Sequence, residues 1–254
     1  RLENKPESSR WYPGAGLYRN VHVIQTNKIH VPVWGTYITT PFVSTEYASV
    51  HLRTEIAGNH KDIRIITEIR DADNKVVASK DNRQQLNHGR PFEQNFIIED
   101  PKLWSPETPY LYTATSTLFV DGKQTDEYTT RFGIRDIQFI ADKGFFLNGQ
   151  RRKFQGVCNH HDLGPLGAAI NEAALRRQLT LLKEMGCDGI RTSHNMPAPE
   201  LVKLCDEMGF MMIVENFDEW EVAKCKNGYH RFFDEWAEKD MVNMLRHFRN
   251  NPSV

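Results

Sequence analysis

The chain has 254 residues, 39% of them apolar, enough for two ordinary domains each with its own core. A formal net charge of -1 and a pI near 6.9 remove any overall electrostatic reason to expect a nucleic-acid or anionic-membrane partner, leaving a neutral or small ligand. No stretch approaches the roughly 18 consecutive apolar residues of a membrane span, and the polar start RLENKPESSR does not read as a signal peptide.

From about Thr36 to Gly133 the texture is that of strands. Short runs rich in Val, Ile, Thr and Tyr (SVHLRTEIAG, IRIITEIRD, QNFIIED, YLYTATSTLFV) alternate with turn-forming clusters. In FVDGKQ, Asp121-Gly122 suits the two positive-φ positions of a type I′ hairpin. Strands at this spacing predict an all-β immunoglobulin-like sandwich, without the Cys-Trp-Cys pin of antibody domains.

Beyond Gly133 strands alternate with helices. RKFQGVCNHH reads as a strand, and Leu175, Leu179 and Leu182 share one face of a helix from about Glu172 to Met185, stopped by Gly186. DGIRTSH is a second strand. Pro199 fits the first turn of a helix carrying Leu201, Leu204, Cys205 and Met208 and closed by Gly209; FMMIVEN is a third, near-continuous apolar strand. A third helix runs from about Asp234 to His247, with Met241, Met244, Leu245 and Phe248 at helical spacing. Three successive β/α units predict a parallel sheet, either part of a (β/α)8 barrel or a doubly wound sheet, with a fourth strand due at Val254. The four cysteines lack a C-x-x-C spacing and read as free, mostly buried thiols, and Arg151-Arg152-Lys153 reads as solvated surface.

In such a sheet the chemistry sits at the C-terminal strand ends. Here these are Asn159-His160-His161, Ser193-His194-Asn195 and Glu215-Asn216. A strand-end histidine taken singly is as often structural as functional, but polar groups at three consecutive ends favour a site. Two imidazoles and a carboxylate can hydrogen-bond hydroxyls, act as acid and base, or bind a metal as a metal-dependent hydrolase would. His160 and His161 are adjacent and must point apart, which disfavours the metal.

Four motifs, SRWYPGAGLYRNVHV, LWSPETPYLY, GFFLNGQRRKFQGVCNHHDLGPLG and GIRTSHNMPAPELVKLCDEMGFMMIVENFDEW, follow one another in this order along the chain. Together they resemble glycoside hydrolase family 2 and, within it, the β-galactosidases of Bacteroides-type bacteria. The resemblance implies a multidomain chain. Residues 1–24 would be the end of a jelly-roll sugar-binding domain with remnant strands, 25–135 the immunoglobulin-like sandwich, and 136–254 about three units of a partial (β/α)8 TIM barrel. It also implies a retaining glycosidase for terminal β-D-galactosides, working through two glutamates about 5–5.5 Å apart. Both glutamates are expected beyond Val254, so no catalytic residue is expected within the chain, which reads as a fragment inactive by itself. β-Glucuronidase and β-mannosidase share the architecture and stand as alternatives, as does a non-catalytic carbohydrate-binding or scaffold module.

By the same resemblance His160 and His194 match histidines that hydrogen-bond the sugar and stabilise the transition state, and Arg10 sits where relatives place a substrate-binding aspartate. Asn159 and Glu215 complete the rim. Two departures stand out: VEN where the family has DE, and SHNM where it has SHYP, which puts Asn195 in place of a packing tyrosine. Magnesium is the one cofactor left open, with Glu219 its single candidate ligand. Trp220, Phe232, Phe233 and Trp236 fit core packing better than stacking on a sugar, least so Trp220, which lies in a loop. The implied partner is a β-galactoside carbohydrate, with neither nucleic acid nor membrane. The parent enzyme is expected to be a homo-oligomer in the periplasm or cytoplasm of a bacterium.

Overall fold

A computed structural model describes residues 3–10, 16–58, 62–84 and 90–254. By internal contact the chain forms two units: residues 23–153 with 249–252, and the described residues up to His22 with 154–248 and 253–254. The remnant strands expected before Val23 do not form ladders among the described residues, because a strand exists only against a paired neighbour. Residues 11–15 of the first family-like motif lie outside the described residues.

The first unit is a sandwich. Its strands are β1 (Thr36–Val43), β2 (Tyr47–Thr54), β3 (Ile63–Arg70), β4 (Val76–Gln84), β5 (Phe92–Glu99), β6 (Tyr112–Val120) and β7 (Lys123–Phe132). One antiparallel sheet runs β1-β2-β5 and the other β4-β3-β6-β7, an immunoglobulin-like order. The period-two pattern decides what is inside: on β3 Ile63, Ile65 and Ile69 are fully buried, and on β5 Phe92, Phe96 and Ile98 nearly so. A polar seam crosses between the sheets, with the buried Thr67 Oγ1 donating to Gln94 Oε1 at 2.7 Å and standing 2.9 Å from Ser116 Oγ. The β6–β7 turn is the expected one, with Asp121 at φ 51° and Gly122 at φ 75°. A three-stranded meander of β8 (Ile137–Ile140), β9 (Gly144–Leu147) and β10 (Gln150–Arg151) follows. Arg152 departs from the solvated surface expected of it: it forks onto Glu107 at 2.9 and 2.6 Å, and that hydrogen-bonded pair holds the Glu107 carboxyl down at about 2.

The second unit alternates β11 (Gly156–Asn159), α1 (Glu172–Glu184), β12 (Gly189–Thr192), α2 (Pro199–Met208), β13 (Met211–Ile213) and α3 (Phe233–Phe248), and its three strands form one parallel sheet in that order. Asn171 caps α1 by accepting from Ala174 N at 3.0 Å, and Gly209, at φ 74°, closes α2 in the left-handed region. Leu175, Leu179, Val202, Leu204 and Phe210 pack between helices and sheet. At the start of the sheet β11 and β12 approach so closely that a Cβ on Gly156 would lie 2.8 Å from the Gly189 carbonyl oxygen. Beyond α3, the Ser253 carbonyl accepts from Met212 N at 2.7 Å, alongside β13, while buried Asp206 takes the Ser253 amide and hydroxyl.

Three further expectations change. FMMIVEN yields a strand of only three residues, since its ladder with β12 stops at Arg191–Ile213. Of the cysteines only Cys205 is buried; Cys158 is exposed because alternation along β11 sends it to the face opposite Val157. Trp220 in its loop and Phe232 just before α3 are 66% and 51% exposed, and Trp236 is 42% exposed because α3 buries only Met244 and Phe248.

Candidate active site

The parallel sheet brings its three strand ends together. Asn159 closes β11 opposite Thr192, and its carbonyl accepts from Ser193 N at 2.8 Å. Each strand then gives way to a polar loop. His160 and His194 meet edge to face, ring centroids 5.4 Å apart and planes at 88°. The Glu215 amide donates to Thr192 Oγ1 at 3.0 Å, which sets the carboxylate beside His194. Glu215 Oε2 lies 3.0 Å from His194 Nδ1, and Glu215 Oε1 accepts from Arg191 Nε.

Arg191 was not singled out in the sequence. A charged residue inside a run that otherwise reads as a buried strand was the available signal. Its Nη2 is 3.1 Å from His194 Nδ1 and its Nη1 is 3.5 Å from Cys158 Sγ. The Cys158 thiol and the Glu215 carboxylate together hold the Arg191 guanidinium above its usual value. His194 Nδ1 is therefore engaged in either protonation state: protonated it donates to Glu215, unprotonated it accepts from Arg191.

His161 turns the other way, as adjacency requires. It stacks on Tyr18 with centroids 5.7 Å apart, and Asn195 Nδ2 approaches its Nδ1 at 3.3 Å. A cleft opens on this side, lined by Asn159, His160, His161, Thr192 and Asn195 over Leu201.

Arg10 reaches the loop after β13, where it forks onto Asp218 with Nε to Oδ2 at 3.0 Å and Nη2 to Oδ1 at 2.6 Å. Lys224 Nζ adds bonds to Asp218 Oδ1 at 3.2 Å and to its carbonyl at 2.6 Å. Burial pushes the Asp218 carboxyl up, but the Arg10 and Lys224 bonds outweigh it and the net shift is downward. Asp218 was a second residue missed in the sequence, where nothing distinguished it from Glu219.

Glu219 does not fit the magnesium role set out for it. It is 5% exposed, and its oxygens accept from the amides of Lys224, Cys225 and His230 and from His230 Nδ1 at 3.0 Å. Burial raises this carboxyl and the amide donors lower it further than that, so the side chain is an ionised knot that fastens the loop. Among the described residues no group of three or more His, Cys, Asp or Glu side chains could hold a metal ion.

The family model described as "Glycosyl hydrolases family 2" matches residues 30–135, and "Glycosyl hydrolases family 2, TIM barrel domain" matches 139–254. The chain belongs to glycosyl hydrolase family 2. Its parallel β/α units are accordingly the start of a TIM barrel, and the polar strand ends lie on the face where such barrels carry their chemistry. This family 2 chain is 44% identical over its whole length to the β-galactosidase BoGH2A of Bacteroides ovatus, of which it covers 31%. It is 37% identical over its whole length to a putative β-glucuronidase of Formosa agariphila, of which it covers 24%. Among solved structures, a family 2 glycosyl hydrolase from Bacteroides cellulosilyticus superposes with a TM-score of 0.92 at 36% identity, over 97% of this chain and 32% of that one. A β-glycosidase from Bacteroides vulgatus gives the same TM-score and identity. The chain thus spans about a quarter to a third of the length of these relatives.

Proposed function

We propose that this chain supplies the substrate-binding rim of a retaining glycosidase that cleaves terminal β-D-galactosides, with both catalytic glutamates outside residues 1–254. The supporting observation is the pair of imidazoles at two strand ends, His160 edge-on to His194, with His194 fixed on Glu215 at 3.0 Å. Imidazoles held this way suit hydroxyl recognition. Contacts to hydroxyls that shorten as the sugar ring flattens lower the barrier, whereas contacts equal in ground and transition state only tighten binding. Asn159 adds an amide to the same rim. Arg10 is a donor where the motif resemblance places an acceptor, and its engagement with Asp218 makes it a wall of the site more than a free hydroxyl ligand.

Galactose is favoured as the sugar by the 44% identity to a β-galactosidase over the whole chain. Glucuronate is the second reading, favoured by the 37% identity to a putative β-glucuronidase over the same length. Turnover of aryl β-galactoside and aryl β-glucuronide separates them, measured on the 254-residue polypeptide and on one extended through the rest of the barrel. The expected result is galactoside turnover by the longer polypeptide alone. Turnover by the short one would place the catalytic groups among His160, His194, Glu215 and Glu219, and saturable sugar binding without turnover by both would favour a non-catalytic module.

A further inference from the structure

We propose that Arg19 is a positioning residue for the sugar rim: by gripping the carbonyls of Met196 and Pro197 it holds the loop that carries His194. The inference rests on the glycosidase reading given above. The loop leaves β12 at Thr192 and enters α2 at Pro199. Most of it is shielded, with Ser193, Pro197 and Ala198 buried and His194, Asn195 and Met196 partly so. Buried backbone needs hydrogen-bond partners, and this stretch has few of its own. Pro197 has no amide hydrogen to give, and Ala198, the N-cap residue of α2, has no side-chain group that could cap the helix.

Arg19 supplies the donors. Its Nη1 donates to the Pro197 carbonyl at 2.9 Å and its Nη2 to the Met196 carbonyl at 2.7 Å, a fork across two successive peptide groups. The residues on either side bind the same surroundings: Tyr18 lies alongside His161, ring centroids 5.7 Å apart, and Asn20 Nδ2 donates to Glu200 Oε1. The grip reaches His194 because the loop is stiff. Pro197 and Pro199 each fix their own φ and keep the preceding residue extended, which leaves Met196 to Ala198 little freedom to absorb a shift. Elsewhere the loop is tied by its amides to the neighbouring strand ends, Ser193 N to the Asn159 carbonyl at 2.8 Å and Met196 N to the Asn216 carbonyl at 3.2 Å. Arg19 holds the carbonyl side. Without it, two carbonyls of a largely buried loop lose their donors, and the loop gains by swinging out to wet them. His194, between the anchors, goes with it. Arg191 and Glu215 orient the His194 ring, while Arg19 sets where its backbone stands.

The test is a double-mutant cycle on the enzyme extended through the rest of the barrel, with kcat and KM measured for an aryl β-galactoside. Arg19→Ala is expected to lower kcat/KM roughly tenfold, most of it in kcat, the scale of a small displacement that spoils a transition-state contact. In a His194→Ala background the same change should cost less than about twofold, because the side chain it positions is gone. Asn20→Ala, which loosens the segment from α2 and leaves both carbonyls gripped, should stay within about twofold of the parent. An equal fall in both backgrounds, no fall at all, or an equal fall from Asn20→Ala overturns the inference and makes Arg19 a fastening of its own segment. If Arg19→Ala does not fold, the cycle is run with Arg19→Lys, which reaches one carbonyl at a time and should cost roughly threefold, again lost when His194 is absent. A parent that turns over aryl β-glucuronide and not the galactoside removes the galactose reading, and the cycle is then read on the glucuronide. A parent that turns over neither removes the functional reading and the inference with it, whereas an active parent with an additive cycle removes the inference alone.

Discussion

His194 is held from two sides, and that makes Glu215 more than a rim carboxylate. Glu215 accepts from Arg191 on one oxygen and faces His194 Nδ1 on the other, so a neutral amide there loses the charge that aligns both partners and turns a donor toward one of them. Glu215→Gln should lower kcat/KM of the extended enzyme about ten- to a hundredfold, the usual effect of removing a partner that orients a working histidine. The melting temperature should move little, since the side chain's hydrogen bonds go to Arg191 and His194 at the rim, whose side chains are 39% and 25% exposed. Kinetics and a thermal melt on one sample check both halves, and a large fall in the melt with unchanged kinetics would make Glu215 a structural residue. Glu107 carries a different expectation. Arg152 holds its carboxyl at about 2, below the ordinary value, so the pair stabilises the fold above the ordinary carboxylate range and that stability is lost as pH falls toward 2. The carboxylate side chain is 62% exposed, which limits the effect to under about 1 kcal/mol. Urea midpoints should therefore separate Glu107→Gln from the parent at pH 7 and coincide at pH 2. A gap that persists at pH 2 would mean that shape, not charge, is what Glu107 contributes.

Elements show where sequence pattern is sufficient and where it fails. Gly156 and Gly189 face each other where β11 meets β12, and the atom that a new methyl would strike is backbone, which cannot swing aside. Gly156→Ala should destabilise the β/α unit by about 1–3 kcal/mol, as overpacking does, read as a lower denaturant midpoint. No loss at all would mean that the two strands can separate freely. Helix ends were legible because their causes are local: Pro199 starts α2, Gly209 ends it, and Gly186 at φ 85° follows α1. The sandwich was legible for the same reason, through alternation and the Asp121-Gly122 turn. Strand β13 was not, because its length is set by the ladder with β12 and not by its own apolar run. The site was half legible. His160, His194 and Glu215 announced themselves as polar groups at strand ends, whereas Arg191 and Asp218 acquire meaning only from partners brought in by folding. The exposure of Cys158 was hidden likewise, since residue type predicts burial only on average.

At the scale of the whole molecule the two units differ in how completely they dispose of apolar surface. The sandwich closes on itself, with Ile63, Ile65, Ile69, Leu118 and Ile134 at 0% exposure and its inner polar atoms joined through Thr67, Gln94 and Ser116. In the β/α unit the strands are only three or four residues long, and Leu181, Ile213 and Leu245 remain 43%, 66% and 57% exposed. A sheet so short, with apolar groups left in water, opens more readily than a two-sheet core, and opening is what amide exchange measures. In the 254-residue polypeptide, amides of β3 and β6 should therefore exchange slowest. Those of β12 and β13 should exchange at least about tenfold faster, the mark of an opening free energy lower by some 1.4 kcal/mol. Extending the chain through further β/α units should slow exchange in β12 and β13, by covering the outer edge of β13 and the helix faces packed over both strands, and leave β3 and β6 as they were. Equal protection of both units in the 254-residue polypeptide would sink the expectation and would mean that the three β/α units stand as a closed cooperative body. Faster exchange confined to β12 and β13 would tie the stability of the site to the rest of the barrel, because Arg191 lies on β12 and His194 and Glu215 leave from the ends of these two strands.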